Sequence, residues 1–153
     1  MSNRDTNHTK QPPTKEIWAD ALGTDARFVT YASWAGIYIN GDTQAALFKF
    51  AIPHDFNEIV SLDLVLIPYV QLDSMSFYVA ANWAFSGTND QTNQENNWHN
   101  VENTIAHQLT VRDIRKCVDT YPLEAGQYLS ISVTRNVGNN TDALILGAKL
   151  RYR

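Results

Sequence analysis

The segment from Met75 to Phe85, MSFYVAANWAF, alternates between apolar residues and small or polar ones along its whole length. Successive side chains of a β-strand point to opposite faces of its sheet, so a two-residue period predicts a strand with one buried face. The apolar face carries Phe77, Val79, Ala81, Trp83 and Phe85, and the other carries Ser76, Tyr78, Ala80, Asn82 and Ala84. We therefore expect Trp83 to lie in the core.

The same period recurs on both sides of this segment. It is clear in residues 58–69 (EIVSLDLVLIPY), 126–135 (GQYLSISVTR) and 142–153 (DALILGAKLRYR). Shorter strands are expected at 28–33, 36–40 and 46–51, with a turn signal at Asn40-Gly41-Asp42. Many short strands separated by turn residues predict an all-β fold, an antiparallel β-sandwich of the jelly-roll type.

Two segments have a helical pattern. Residues 16–22 are compatible with a single helical turn. In residues 110–118, Val111, Ile114 and Val118 are spaced to share one helical face, and Thr110 with Asp113 suits the start of a helix. The predicted fold is therefore a sandwich with one short helix between strands.

The chain length of 153 residues suits one domain. Residues 1–16 are polar, contain Pro12-Pro13 and show no hydrophobic period, which predicts a flexible N-terminal arm. Residues 17–153 are predicted to form the single sandwich domain. The arm is interpreted either as a frayed terminus or as a segment that orders against a neighbouring subunit.

Charge and composition exclude several classes of protein. The formal net charge of -4 argues against a nucleic-acid partner, because such proteins need an excess of cations to neutralise phosphates. No run approaches the roughly 18 apolar residues of a membrane span, and no secretion signal opens the sequence. The single cysteine, Cys117, is expected to be a buried apolar residue on the short helix.

The polar segment 86–100, SGTNDQTNQENNWHN, is long enough for a loop with a role in binding. A solvated spacer is the alternative. The residues predicted to contact a partner are Trp98, Asn89, Asp90, Asn93, Glu95 and His99. No nucleophile motif, acid–base pair, phosphate loop or metal-ligand spacing is present, so we expect no enzyme activity, no cofactor and no metal.

The closing third resembles a known domain. Residues 123–135 (LEAGQYLSISVTR) and 139–152 (NNTDALILGAKLRY) resemble the last strands of a β-sandwich domain that recurs in tailed-phage structural proteins. Residues 77–84 (FYVAANWA), followed by Ser86-Gly87, resemble that domain's tryptophan-bearing strand. The resemblance implies a capsid or tail-associated component and carries no catalytic motif.

The predicted function is a non-catalytic virion structural protein, made in the host cytoplasm and located in the virion. Its partners would be other copies of itself, as a homo-oligomer, and other virion proteins. The alternative is a carbohydrate-binding module for host-surface recognition, because four tryptophans and seven tyrosines supply flat rings on which a glycan can stack. Exposed rings on one face would favour that alternative.

Overall fold

The computed structural model describes residues 11–87, 93–118, 122–135 and 142–153, and for residues 72–74, 93–98 and 103 it describes the backbone only. Two antiparallel sheets pack face to face, which confirms the predicted sandwich. The strands are β1 (Lys15–Asp20), β2 (Leu22–Thr24), β3 (Arg27–Tyr31), β4 (Trp34–Ile39), β5 (Ala45–Ala51), β6 (Ile59–Pro68), β7 (Leu72–Ala84), β8 (Asn93–Thr104), β9 (Thr110–Asp113), β10 (Tyr128–Arg135) and β11 (Ala143–Tyr152).

The first sheet has six strands in the order β3-β4-β11-β6-β9, with β1 pairing to β11 as well. The second has five strands in the order β2-β5-β10-β7-β8. The turn at Asn40-Gly41-Asp42 is present, but it carries the chain from β4 in one sheet to β5 in the other. It therefore joins the two layers instead of closing a hairpin.

The core lies between the sheets and is built from the predicted apolar faces. Trp83 is 1% exposed, and Phe48, Phe77, Leu62 and Ile131 are also fully buried. The confirmed period in β6, β7, β10 and β11 is the direct cause, because each strand turns every second side chain inward. Stability therefore comes from side-chain packing between two patterned sheets.

Strand β11 changes its partner along one edge. Its first residues pair with β4, ending at Ile145 opposite Ile37, and its later residues pair with β1, from Gly147 onward. The register with β6 on the other edge shifts at the same point, which marks a β-bulge at Leu146. Gly36 of β4 lies against this bulge, and a Cβ there would come within 2.3 Å of the Ile145 carbonyl oxygen.

Three predictions about local structure are wrong. Residues 93–104 form strand β8, paired with β7, although this segment was expected to be mostly loop. Residues 110–113 form strand β9, and only Arg115–Val118 is helical, as one turn of 3-10 helix. Residues 16–22 contain strands instead of a helical turn, and β1 begins at Lys15.

The buried residues of the 110–118 segment explain the second error. Ile114 and Val118 point into the core, whereas Val111 lies on the outer face of β9 and is exposed. A strand followed by a tight turn therefore reproduces the spacing of a helical face. Cys117 is buried, as expected.

Other predictions fall outside the described residues. Residues 1–10 of the predicted arm and most of the polar turn before β11 belong to this group. The remaining arm residues run from Gln11 into β1, where Lys15 pairs with Tyr152 at the end of β11. In the part of the chain that the structure covers, no helix has the length and apolar character needed to cross a bilayer.

Candidate functional site

The outer face of the five-stranded sheet carries short and polar side chains. Register places Ala51, Tyr128 and Ala84 in one row across β5, β10 and β7. The next row holds Lys49, Ser130 and Asn82. These residues come from the same strands as the core residues, offset by one position, so the buried faces fix the position of the outer rows.

Tyr128 is the most prominent side chain on this face. Its ring is 59% exposed, and its two cross-strand neighbours, Ala51 and Ala84, reach no further than a methyl group. A tyrosine on a sheet usually packs against bulky neighbours on the adjacent strands. Because both neighbours here are alanines, one or both faces of the Tyr128 ring are left open for a ligand.

A groove of about 500 Å³ lies beside this ring. Tyr128 and Phe85 supply aromatic surface, and Lys49, Asn82 and Ser130 supply polar groups. Its volume lies within the range of about 300–1,000 Å³ that is usual for ligand pockets. The combination of apolar surface with a few polar groups is typical of such sites.

Phe85 departs from its predicted position. It was assigned to the inward face with Trp83, but β7 ends at Ala84 and Phe85 is 41% exposed. Its ring comes near the turn at Gly126, whose φ of 81° lies in the left-handed region that glycine readily adopts. The end of one strand and the turn before another thus bring Phe85 to the groove.

The outer face continues along β10 beyond the groove. Ser132 and Thr134 follow Ser130, and Tyr78 of β7 lies opposite Thr134. Six residues separate Tyr128 from Thr134, which corresponds to roughly 20 Å at the usual rise of a strand. The two tyrosines therefore lie at the two ends of this polar strip.

An ionic network lies at the end of β10. The Arg135 guanidinium donates to Asp42 at 2.9 Å and to Asp142 at 3.3 Å. Asp142 also accepts a hydrogen bond from the Tyr38 hydroxyl at 3.1 Å. This network connects the end of β10 to the chain just before β11. These contacts hold the end of β10 in place.

The residues predicted to contact a partner do not all lie on one exposed loop, as was expected. Asn89 and Asp90 lie outside the described residues. Asn93, Glu95 and Trp98 belong to β8, where the backbone alone is described, and Trp98 pairs with Tyr78. His99 is not on an exposed loop: it lies in β8 opposite Phe77 and is 2% exposed.

His99 has an unusual environment for a buried polar residue. Its Nε2 atom has no hydrogen-bond partner among the described residues. It lines a cavity of about 250 Å³ together with Arg112, Asp113, Arg115 and Lys116. Burial is the main cause that lowers the pKa of His99, and the positive charges of Arg112 and Lys116 lower it further.

This lowered pKa predicts a pH dependence of stability. The unfolded chain, with an ordinary histidine pKa of about 6.5, binds the proton more readily than the folded protein does. The stability that neutral His99 contributes is therefore fully present above the unfolded pKa. It is lost as the pH falls below the unfolded pKa toward the lower pKa of the folded protein. Urea unfolding at pH 8 and pH 5 should show a smaller loss of stability in His99→Phe than in the wild type.

The matched control for this prediction is His54→Gln, which removes an exposed imidazole. It should keep the wild-type difference between the two pH values. An equal difference in all three proteins would assign the pH dependence to other groups.

The outer face of the six-stranded sheet also carries aromatic residues. Tyr31 stacks on His107 with ring centroids 5.1 Å apart, and Tyr69 lies between His107 and Tyr38 at 5.3 and 4.9 Å. Tyr38 and Tyr69 pack against the small apolar cluster of Val65, Ile67, Leu144 and Leu146. These two rings are therefore partly covered by the protein itself, in contrast to Tyr128.

Two tryptophans on this second face are partly exposed. The Trp18 ring lies over Gly147 and its Nε1 donates to Asp20 at 2.7 Å, whereas Trp34 is 47% exposed at the end of the β3–β4 hairpin. Within the described ranges, no three His, Cys, Asp or Glu side chains come together in a way that could hold a metal ion.

Comparisons with known proteins identify related folds. No family model matches the chain, and no curated protein matches it significantly. Among solved structures, a mutant of Xylanase10C from Cellvibrio japonicus in complex with xylopentaose has a TM-score of 0.52 and 13% identity, and the match covers 90% of this chain and 28% of that one. The chain thus spans just over a quarter of that xylanase.

Two further neighbours match with lower TM-scores. One is a carbohydrate-binding module of family 36 in complex with calcium and xylotriose, with a TM-score of 0.49, 9% identity and coverage of 90% of this chain and 98% of that one. The other is a family 11 carbohydrate-binding module from Clostridium thermocellum in complex with a mixed-linked tetrasaccharide, with a TM-score of 0.47, 8% identity and coverage of 90% and 87%. At these identities the likeness concerns the β-sandwich fold alone.

These neighbours correct the predicted function. They are carbohydrate-binding modules and a xylanase, and none of the three is a virion structural protein, so the prediction of a virion structural protein is wrong. The predicted homo-oligomer, the virion partners and the virion location have no support in the structure or in these neighbours. The resemblance to a tailed-phage sandwich domain likewise has no matching family model behind it.

Proposed function

We propose that this protein is a carbohydrate-binding module whose site is the outer face of the five-stranded sheet. The observation that carries the proposal is the Tyr128 ring, exposed between two alanines and beside a groove of about 500 Å³. Sugars present C–H groups on the faces of their rings and hydroxyl groups at the edges. An open aromatic ring can stack on the C–H groups of a sugar, and adjacent polar side chains can form hydrogen bonds with its hydroxyl groups.

The polar groups beside Tyr128 suit sugar hydroxyls. Asn82 can donate and accept, Ser130 can do both through its hydroxyl, and Lys49 can donate. Lys49 is the one charged residue among those described as lining the groove, so most of its polar groups are neutral hydrogen-bonding groups that suit sugar hydroxyls. The strip that runs on to Thr134 and Tyr78 has room for an oligosaccharide.

The proposal is binding without cleavage. Glycoside hydrolysis generally uses a pair of carboxylic acids on either side of the scissile bond. The described residues that line the groove include no Asp or Glu. The polar side chains present there can orient a sugar, but they offer neither a general acid nor a nucleophile for glycoside chemistry.

Tyr128→Ala tests the proposal. Removing the ring should weaken binding at least tenfold, equivalent to about 1.4 kcal/mol, because the stacking surface is lost while the alanine neighbours cannot replace it. Binding would be measured by isothermal titration calorimetry with xylotriose, xylopentaose and a mixed-linked β-glucan tetrasaccharide. Tyr128→Phe keeps the ring and should retain most of the affinity.

Trp34→Ala is the matched control, because it removes an exposed ring of comparable accessibility from the opposite sheet. It should leave the affinity unchanged. Loss of binding in Trp34→Ala but not in Tyr128→Ala would move the site to the other face. A wild-type protein that binds none of these sugars and no member of a broad glycan panel would refute the proposed function.

A further inference from the structure

The turn at Asn40-Gly41-Asp42 carries a reactive dipeptide that the proposed glycan groove does not use. Asn40 is exposed and follows the last residue of β4, and Gly41 comes directly after it. A glycine has no Cβ to shield its backbone nitrogen. The Gly41 nitrogen is therefore accessible to the side-chain carbonyl carbon of Asn40.

The reaction available to this dipeptide is an intramolecular acyl transfer that releases ammonia. After losing its proton to solvent, the Gly41 backbone nitrogen attacks Cγ of Asn40 and closes a five-membered imide. The bond from Cγ to Nδ2 breaks, and Nδ2 takes up a proton from solvent and leaves as ammonia. Water then opens the imide at either carbonyl carbon, which gives aspartate or isoaspartate. Because both reacting groups belong to adjacent residues, the reaction needs no enzyme.

The side chain of Gln44 holds the attacking nitrogen. Its Oε1 atom accepts from the Gly41 backbone N–H at 3.0 Å and from the Asn40 backbone N–H at 2.8 Å. The Gln44 backbone N–H in turn donates to the Gly41 carbonyl oxygen at 3.3 Å. Hydrogen bonds to Gln44 therefore fix the backbone on both sides of the bond between Asn40 and Gly41.

Packing supports the same arrangement. Gln44 is half-buried and its side chain lies against Gly41, where an added Cβ would be 3.3 Å from the Gln44 Cδ atom. Turning the Gly41 nitrogen onto Cγ of Asn40 would pull its N–H away from the Gln44 oxygen. A hydrogen bond to the protonated form of a group also disfavours loss of its proton. Both effects slow the first step of the reaction.

We propose that Asn40 is a site of spontaneous deamidation, and that Gln44 slows this reaction in the folded protein by holding the Gly41 backbone nitrogen. Gln44 is a positioning residue here, because it acts on the reaction through Gly41. The modification is separate from the proposed glycan binding, since neither Asn40 nor Gln44 lines the groove. Failure of one proposal therefore leaves the other standing.

The place of the turn in the fold gives the reaction a structural consequence. The turn joins β4 in one sheet to β5 in the other, and Asp42 accepts from the Arg135 guanidinium at 2.9 Å. Both products add a carboxylate two residues before Asp42, and isoaspartate also inserts a methylene group into the main chain. We therefore expect the deamidated protein to unfold at a lower temperature than the unmodified one.

The test is the rate of deamidation at Asn40 in the folded 153-residue protein at pH 8, measured by peptide mapping with mass spectrometry. Gln44→Met removes the acceptor oxygen and keeps a side chain of similar length. It should react roughly threefold faster or more, the factor expected for loss of an ordinary hydrogen bond. Gln44→Glu keeps an acceptor oxygen and should react at close to the wild-type rate.

Gln108→Met is the matched control, because it removes an exposed glutamine from another turn and should leave the rate at Asn40 unchanged. In urea, the unfolded wild type and the unfolded Gln44→Met should react equally fast, and both faster than the folded wild type. Comparison of Gln44→Glu with Gln44→Met separates the hydrogen bond from a general loss of stability. A folded wild type that reacts as fast as the unfolded chain would overturn the proposal. So would a Gln44→Met protein that reacts no faster than the wild type or than Gln44→Glu.

Discussion

Replacing Trp83 with alanine is expected to lower the free energy of unfolding by about 3–5 kcal/mol. Trp83 is among the largest fully buried side chains of the protein, and it lies on β7, which pairs with β10 on one side and with the edge strand β8 on the other. Its removal leaves a cavity beside β7, whose position is fixed by hydrogen bonds to strands on both sides, so little collapse can fill it. Urea unfolding followed by far-ultraviolet circular dichroism measures the change.

Trp83→Phe separates volume from polarity in the same position. The Nε1 atom of Trp83 has no hydrogen-bond partner among the described residues, so the phenyl ring removes an unpaired donor as well as some volume. We therefore expect Trp83→Phe to cost much less than Trp83→Ala. Trp34→Ala, on the exposed hairpin, should change stability by less than about 1 kcal/mol. Equal losses in Trp83→Ala and Trp34→Ala would contradict the placement of the core.

Gly36→Ala is expected to have the second largest effect on stability, a loss of about 3 kcal/mol at the upper end of the range for overpacking. The added Cβ would lie 2.3 Å from the Ile145 carbonyl oxygen and 2.9 Å from its carbon. Both atoms belong to the backbone of β11 at the bulge, where the strand exchanges β4 for β1. Neither can move without breaking the pairing on one of its edges.

Gly41→Ala is the matched control. A Cβ at Gly41 would meet the side chain of Gln44 at 3.3 Å, and that side chain can adjust. Thermal unfolding should show a clear drop in Tm for Gly36→Ala and only a small change for Gly41→Ala. A Gly36→Ala protein as stable as the wild type would show that β4 and β11 are less closely packed than the structure indicates.

The two-residue alternation of apolar and polar side chains made much of the fold predictable from the sequence. Residues 58–69, 75–85, 126–135 and 142–153 all contain strands close to the predicted bounds, because an alternating pattern is a local property of the sequence. Strand β8 was missed since its residues, NQENNWHNVENT, have low strand propensity and no apolar alternation. It is a strand because it pairs with β7, the strand that precedes it, and the composition of β8 alone does not record this pairing.

The candidate site was predictable only in part. The outward residues of β7 and β10, including Asn82, Ser130 and Tyr128, could be read from the same period that gave the core. Ala51 and Ala84 lie on either side of Tyr128 because of the register between β5, β10 and β7. The sequence of one strand alone does not contain this register. The predicted site was instead segment 86–100, whose composition is typical of a loop. His99 was singled out there, but its burial comes from its position opposite Phe77.

The alternation of β5, β7 and β10 separates two kinds of evolutionary constraint within the same strands. Substitutions at inward positions such as Phe48 or Ile131 are opposed by the loss of packing, whereas those at Ala51, Ser130 or Asn82 alter the ligand-facing surface and leave the core intact. If the protein is the carbohydrate-binding module proposed above, such a scaffold can change the sugar it binds through few mutations without first gaining stability. Selection for a new ligand would then act on every second residue of three adjacent strands.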